Sequence, residues 1–594
     1  MHCNHTMLKR TLLLGPLFLL LTACSTTPPP KPAEISHGDY RYVQEYLRWM
    51  IEKKMGASGV TGMSIALVDD QRVVWETGFG YADAENGEAA TANTQYRMGS
   101  IAKVLTASAA MHLAERGALS IDSPLAEALP GFSIKSRFGE TAPITPRNIM
   151  THHSGLPSNH LNGMVSSNPK YFATLVDDIK DEYVAYPPNY VFAYSNLGVT
   201  LLGAAVEQRS GMRYADYLDE SLFAPLGMRD SYFASEPQIK GYNKGKLAQT
   251  LPLRDLPSGG LVSSVADMSR FMKMVFADGR VGDKQILSQA SLAEMFRPQY
   301  PDLALDLGLR SGLGWTLSGF DVENGGIVAG HGGSLLNFHS MMVVLPEQRL
   351  GVVVAANSAS ALSLVNEVAE TALKLALEAK SGIRQPARSH SAGIVTKLSE
   401  AEVESYAGYF DSIVGLVKIN NNSGDLDADA MGHSFRLTSR DNGTFGIRYK
   451  LFGLIPVSVS AFDNISLTME RIAGRDVLVG RIGNEATLFG EKLHKPKIAS
   501  ALPDFVGRYE IVNLWQGGPA PENLVLRQED GMFIAECTFA QMPGFILRIA
   551  VDPVSANEAV IAGIGPGRGE TVRLLQVNDE KRMVFSGLEL RKIN

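Results

Sequence analysis

Ser340-Met341-Met342-Val343-Val344-Leu345-Pro346-Glu347-Gln348-Arg349-Leu350-Gly351-Val352-Val353-Val354-Ala355-Ala356 reads as two apolar strands on either side of a turn. A matching arrangement stands near the start of the chain, where residues 63 to 68 and 73 to 78 flank Asp69-Asp70-Gln71-Arg72. Val43, Leu47, Met50 and Ile51 recur at helical spacing before the first pair, and an apolar helical stretch, 361 to 379, follows the second. Short hairpins imply antiparallel pairing. The expectation is therefore one antiparallel sheet assembled from both ends of a segment of about 340 residues, with the terminal helices covering a face. Residues 90 to 330 would be an insertion, mainly helical with long loops. Within it Thr145-Pro146 fits an N-cap and first helical position before Arg147-Asn148-Ile149-Met150.

The chain has 594 residues, about four usual domain lengths, so it is modular. With 45% hydrophobic and 20% charged residues it belongs with soluble globular proteins rather than with disordered chains or polytopic membrane proteins. Net charge is −7, and without Lys9 and Arg10, the charges of residues 1 to 23, it is −9. That balance excludes a basic nucleic-acid footprint. Cys3, Cys24 and Cys537 are too few and too scattered for a disulfide framework or a cysteine zinc site. Cys537 is read as a buried core residue.

Met7-Leu8-Lys9-Arg10, the apolar run 11 to 21 and Leu21-Thr22-Ala23-Cys24 form a charged n-region, an h-region and a small-residue cleavage site. The run is too short to span a bilayer, which takes about 20 residues. This segment resembles a bacterial lipoprotein lipobox, with either Met1 or Met7 as start. The resemblance implies a signal peptide over 1–23, lipidation of Cys24, a Pro-rich tether over 24–37, and a place in the bacterial cell envelope, on the periplasmic face or the cell surface.

Residues 381–397, with Gly382, Pro386 and Gly393, read as a linker. Beyond it, short alternating runs (414–419, 445–449, 477–482, 545–551 and 572–577 among them) argue for an all-β tail. Ala407-Gly408-Tyr409-Phe410 matches Val506-Gly507-Arg508-Tyr509 at an offset of 99, and Phe489-Gly490-Glu491-Lys492 matches Ser586-Gly587-Leu588-Glu589 at 97. Two similar barrel-like modules are expected, 398–495 and 500–594, neither with a catalytic group. Gly563-Ile564-Gly565-Pro566-Gly567-Arg568-Gly569 is read as a loop, since Pro566 and its β context do not suit a phosphate cradle.

The chemistry concentrates in Tyr96-Arg97-Met98-Gly99-Ser100-Ile101-Ala102-Lys103, at the opening of a helix. Ser100 and Lys103 share a helix face. A serine hydroxyl becomes a nucleophile when a neighbour takes its proton, and a lysine can do so only when neutral, a form favoured by burial and by the helix N-terminus. Ser167-Asn168-Pro169-Lys170 has the same spacing, but Asn168-Pro169 reads as a cap and first helical position that leaves Ser167 outside the helix bearing Lys170. Tyr194-Ser195-Asn196 adds a phenol that could shuttle protons beside a cation and an amide that could bind a substrate carbonyl or hold Lys103. Gly330-His331-Gly332-Gly333-Ser334 adds a glycine strand for close backbone approach, with a histidine to contact a carboxylate or polarise a relay. His152-His153 lacks an Asp or Glu at ligand spacing, so no metal is expected. No Gly-x-Ser-x-Gly occurs, which argues against an α/β-hydrolase.

Together these motifs resemble the serine hydrolase family of class C β-lactamases, D-alanyl-D-alanine carboxypeptidases, D-aminopeptidases and related esterases. The likeness extends to the stretches 144–157, 258–267 and 312–315. It implies an α/β (α+β) β-lactamase/transpeptidase-like domain over 38–380. It further implies Ser100 as acylated nucleophile, Lys103 and Tyr194 as proton-transfer groups, and Asn196, His331 and Gly333 as substrate-binding residues. The backbone N–H groups of Ser100 and Ser334 would form the oxyanion hole. Where the β-lactamases usually carry lysine this chain has His331, which looks more like the peptidase branches. The expected substrates are thus D-amino-acid peptides or esters, with no cofactor. A true β-lactamase and a non-catalytic penicillin- or peptide-binding lipoprotein are the alternatives.

Overall fold

The computed structural model describes residues 27–320, 322–386, 393–451, 455–457, 462, 465–482, 485–514, 520–540 and 544–593. Cys24 and the signal segment lie outside them. In chain order the elements that matter for the site are α1 (Arg41–Ser58), β1 (Gly62–Asp69), β2 (Arg72–Asp83), β3 (Tyr96–Gly99), α2 (Ala102–Glu115), α3 (Asn196–Ser210), β4 (Leu261–Ser263), α4 (Val265–Phe276), β5 (Ala329–Leu335), β6 (Phe338–Leu345), β7 (Leu350–Ala356) and α5 (Leu362–Ser381). Among the described residues no helix is long and apolar enough to cross a membrane.

The two expected hairpins are β1–β2 and β6–β7, and the sheet runs β5-β6-β7-β1-β2 with the short strand Glu88–Ala89 at its edge. Its seam is the antiparallel β1–β7 pair, in which Met63 faces Ala356 and Asp69 faces Leu350. Side chains alternate across a strand, so Ile65 and Leu67 pack with Val43, Leu47 and Ile51 of α1 and Val365 and Val368 of α5. Ala66 and Val68 face the other way, toward Phe271, Met272 and Phe276 of α4. The terminal helices thus cover one face, as expected, and α4 covers the other, which is why β1 and β7 are apolar at nearly every position. Each fully buried Leu, Ile or Val contributes about 1.5–3 kcal/mol.

The insertion holds β3, paired with β4, and helices α2 and α3 in its core. Thr145 caps the helix Pro146–Met150 with a reciprocal capping box through Asn148. The second Ser-x-x-Lys differs from expectation. Lys170 precedes the short 3-10 turn Phe172–Thr174 rather than lying on a helix, and it pairs with Asp178 at 3.8 Å.

Helix α5 ends at Gly382, left-handed at φ 72°. The tail forms two antiparallel barrels. In the first, eight strands from Gly408–Ser412 to Glu485–Lys492 form a ring through the pairing of His433–Ser439 with Phe445–Leu451, and Ile455–Val457 is added outside it. The second is a closed ring from Gly507–Ile511 to Leu588–Lys592. Both join first strand to last, as a repeat requires, yet the matching of the last strands shifts. Phe410 faces Lys492 and Tyr509 faces Lys592, so those strands correspond at an offset of 100, not 97.

The barrels dock on the insertion. Ser158 N–H donates to Glu570 at 2.8 Å, Gly567 N–H donates to Ser158 Oγ at 2.8 Å, and Leu161 N–H donates to the Ser586 carbonyl at 2.9 Å. The glycine-rich loop is part of this interface, with Gly565 N–H donating to Tyr186 Oη at 3.1 Å. Gly569 suits the contact because a Cβ there would lie 2.6 Å from the Ala185 carbonyl.

Candidate active site

Ser100 follows the last residue of β3 and precedes Ile101, the N-cap of α2, which begins at Ala102 and carries Lys103 in its first turn. The Lys103 N–H donates to the Ser100 carbonyl at 3.0 Å, which fixes the two side chains on one face. Lys103 Nζ stands 3.0 Å from Ser100 Oγ, 2.8 Å from Asn196 Oδ1 and 2.6 Å from the Ser258 carbonyl. Two of these partners can only accept. A neutral amine would donate its two hydrogens to them and turn its lone pair to the serine hydroxyl. Lys103 is 2% exposed, and burial lowers its pKa to about 7, against the opposing pull of Asp255.

Asn196 opens α3, whose cap is Ser195. Its Oδ1 holds Lys103 while its Nδ2 donates to Asn159 Oδ1 at 2.8 Å. Of its two expected roles, the geometry shows the holding of Lys103. Tyr194 lies with its ring centroid 4.8 Å from Lys103 Nζ. Burial raises the phenol's pKa and a hydrogen bond with Ser100 opposes that rise. The direction of that shift favours the protonated phenol.

His331 lies in β5, with its ring 6.3 Å from that of Tyr194. Its Nδ1 stands 2.7 Å from the Gly332 carbonyl, which makes Nδ1 the protonated nitrogen and leaves Nε2 an acceptor. Burial, and then Lys103, lower its pKa to about 4. A neutral ring suits a relay better than it suits a charge pair with a carboxylate. Gly333 and Gly99 let β3 and β5 touch. A Cβ on Gly333 would lie 1.9 Å from the Met98 carbonyl, and one on Gly99, whose φ is 53°, would lie 2.8 Å from Ser334 N. The backbones around Ser100 and Ser334 therefore abut. Ser340 Oγ donates to the Met98 carbonyl at 2.8 Å and fixes the same crossing.

Sequence reasoning missed Asn159, Asp255 and the Ser258 carbonyl. Arg254 Nε donates to Asp255 at 2.6 Å, both side chains are buried, and the second carboxylate oxygen has no hydrogen-bond partner. An adjacent Arg-Asp pair between Pro252 and Pro257, in otherwise apolar sequence, was the available signal. His152 and His153 serve the wall. The His152 ring packs 4.2 Å from that of Tyr194 and its Nδ1 accepts from Ser195 N–H, while His153 pairs with the distant Asp306 at 2.8 Å. Among the described residues no cluster of His, Cys, Asp and Glu could hold a metal.

This geometry can be set beside known proteins. Protein flp of Staphylococcus aureus is 24% identical over 328 residues, which cover 53% of this chain and 63% of that protein. Penicillin-binding protein 4 of Amycolatopsis lactamdurans is 27% identical over 344 residues, 55% of this chain and 87% of that protein. Among solved structures, SurE with D-Leu superposes with a TM-score of 0.53 at 22% identity, covering 76% of this chain and 99% of that one. The octameric penicillin-binding protein homologue from Pyrococcus abyssi superposes with a TM-score of 0.50 at 24% identity, covering 74% and 98%. These likenesses establish the fold. The Beta-lactamase family model matches residues 47–376, the span from α1 to α5 that builds the Ser100 site, and the chain belongs to the beta-lactamase family.

Proposed function

We propose that the protein hydrolyses an amide or ester of a D-amino-acid peptide or related ester through an acyl-enzyme on Ser100. The observation that carries this is Lys103 Nζ, with a pKa of about 7, at 3.0 Å from Ser100 Oγ. Neutral Lys103 takes the hydroxyl proton as Oγ attacks the carbonyl carbon. The developing oxyanion is held by the N–H groups of Ser100 and Ser334, each such donor accounting for about 10²–10³ in rate. Tyr194, kept protonated, hands its proton to the leaving amine or alkoxide and recovers one through Lys103. Water then attacks the acyl-enzyme carbonyl, Lys103 taking its proton and returning it to Ser100 Oγ as the ester bond breaks. Neutral His331 supports the proton path on the β5 side of Tyr194.

A fluorophosphonate probe should label Ser100 in the full chain, and a folded protein that stays unlabelled would overturn the reading. The substrate class is tested by kcat/KM for nitrocefin, a D-Ala-D-Ala peptide, D-alanine p-nitroanilide and a short-chain p-nitrophenyl ester. The peptide or ester should lead, and dominant nitrocefin turnover would instead assign a β-lactamase. The lipobox-like segment supports a lipid anchor on Cys24 at the cell envelope. Labelling with a fatty-acid analogue that persists in Cys24→Ser would reject that anchor.

A further inference from the structure

The second barrel is hollow at one end. A cavity of about 380 Å³ is walled at the same end of successive strands by Ile511, Pro521, Phe539, Ile561, Phe585 and Leu588. The opposite end is filled, where Leu502 and Phe505 of a short helix pack with Phe533 and Leu574. The hollow end is the one that meets the catalytic domain, whose Leu161, Met164 and Val165 complete the wall.

The lining sets the chemistry of an occupant. Among the described residues the one charged group at the wall is Glu536, whose carboxylate turns to Arg548 at 3.5 Å and Arg527 at 3.9 Å. The Tyr509 hydroxyl donates to the Phe505 carbonyl, and the Cys537 thiol is kept protonated by burial. Protein interiors are close-packed, with few voids larger than a water molecule. A cavity without polar partners stays dry and takes apolar guests. An eight-stranded ring has just the width to be filled by side chains or to hold one small ligand. At roughly 30 Å³ for a water-sized group the space matches about a dozen methylenes.

We propose that this cavity binds a single hydrocarbon chain of about twelve carbons, from a fatty acid or from a membrane lipid. Its floor is the segment that begins two residues after Asn159, so the chain would end one loop away from the Asn159–Asn196–Lys103 bonds.

The test titrates the full chain with laurate, a twelve-carbon acid, by isothermal titration calorimetry. Saturable binding of one laurate per chain is expected. Ala535→Phe, which fills the cavity, should weaken it at least about tenfold while leaving Ser100 labelling intact. Laurate binding without capture of a dilauroyl phospholipid assigns a free fatty acid, and capture of the phospholipid assigns a membrane lipid. In the unsubstituted chain, bound laurate should slow hydrogen exchange of the strand amides of 533–539 and 546–551, so the proposal stands or falls even if Ala535→Phe does not fold. Absence of saturable binding, undiminished binding in a folded Ala535→Phe, or unchanged exchange in those strands each overturns it.

Discussion

Lys103 must be neutral to act as base, so the free enzyme is active above its pKa. We expect kcat/KM to rise with pH through a limb near 7, the value burial sets, and to level off above it. Asp255 holds the Lys103 pKa up, so Asp255→Asn, which keeps an acceptor for Arg254, should move the limb to lower pH. A limb that stays in place would show that another group titrates. His331 titrates near 4 and adds nothing in that window. Lys103→Arg, always charged, should lower kcat/KM by about 10²–10⁴ and suppress fluorophosphonate labelling without shifting the melting temperature of the fold by more than a few degrees. At this scale the sequence was informative about types and spacing. Ser100, Lys103 and Tyr194 stood out, but Asn159 and the Ser258 carbonyl did not, because a partner reached through a loop or a backbone oxygen leaves no pattern of side chains.

The crossing of β3 and β5 has no room for a methyl group. Gly333→Ala would place Cβ 1.9 Å from the Met98 carbonyl, a backbone atom that cannot swing aside. The strands must part, and the expected loss is about 10²–10³ in kcat with KM little changed. Full activity in that variant would mean the crossing is not part of the catalytic geometry. Thr145→Ala removes a capping box and should cost about 1 kcal/mol of stability, read in denaturant unfolding. That cap and both hairpins were legible in sequence because local chemistry determines them. The last strands of the barrels were not. Gly490 sits inside its strand, where a Cβ would lie 1.9 Å from the Asp411 carbonyl, whereas Gly587 sits in a left-handed hairpin turn at φ 76°. Two glycines with different tasks looked alike, and the matching slipped by three residues.

For the whole molecule, the catalytic domain and the tail meet through a titratable contact. Glu570, buried beside Glu182 and Arg568 and bonded to Ser158 N–H, has its pKa raised by burial to about 7. A carboxyl with a folded pKa above its unfolded one contributes stability at low pH and loses it as pH rises through 7. Asp411, which pairs with Arg568 where the two barrels meet, shifts in the same direction to about 7. Docking should therefore weaken between pH 5 and 8, seen as faster proteolysis of the 381–397 segment, and Glu570→Gln should flatten that dependence. An unchanged profile would place the titration elsewhere. Removing everything after Ser381 uncovers Tyr186 and Leu161 and takes Ser586 from Asn159. If the tail gates the cleft, the shortened enzyme should remain labelled at Ser100 and accept larger substrates; unchanged selectivity rejects gating. The β1–β7 seam has its own consequence during synthesis. Strand β1 emerges early, but its partner ends at Ala356. At about 5–20 residues per second the ribosome takes roughly 15–60 s to bridge that interval. Throughout it, an apolar strand with unpaired backbone stands ready to join any neighbouring nascent chain. The cell must shelter this strand until the second hairpin arrives.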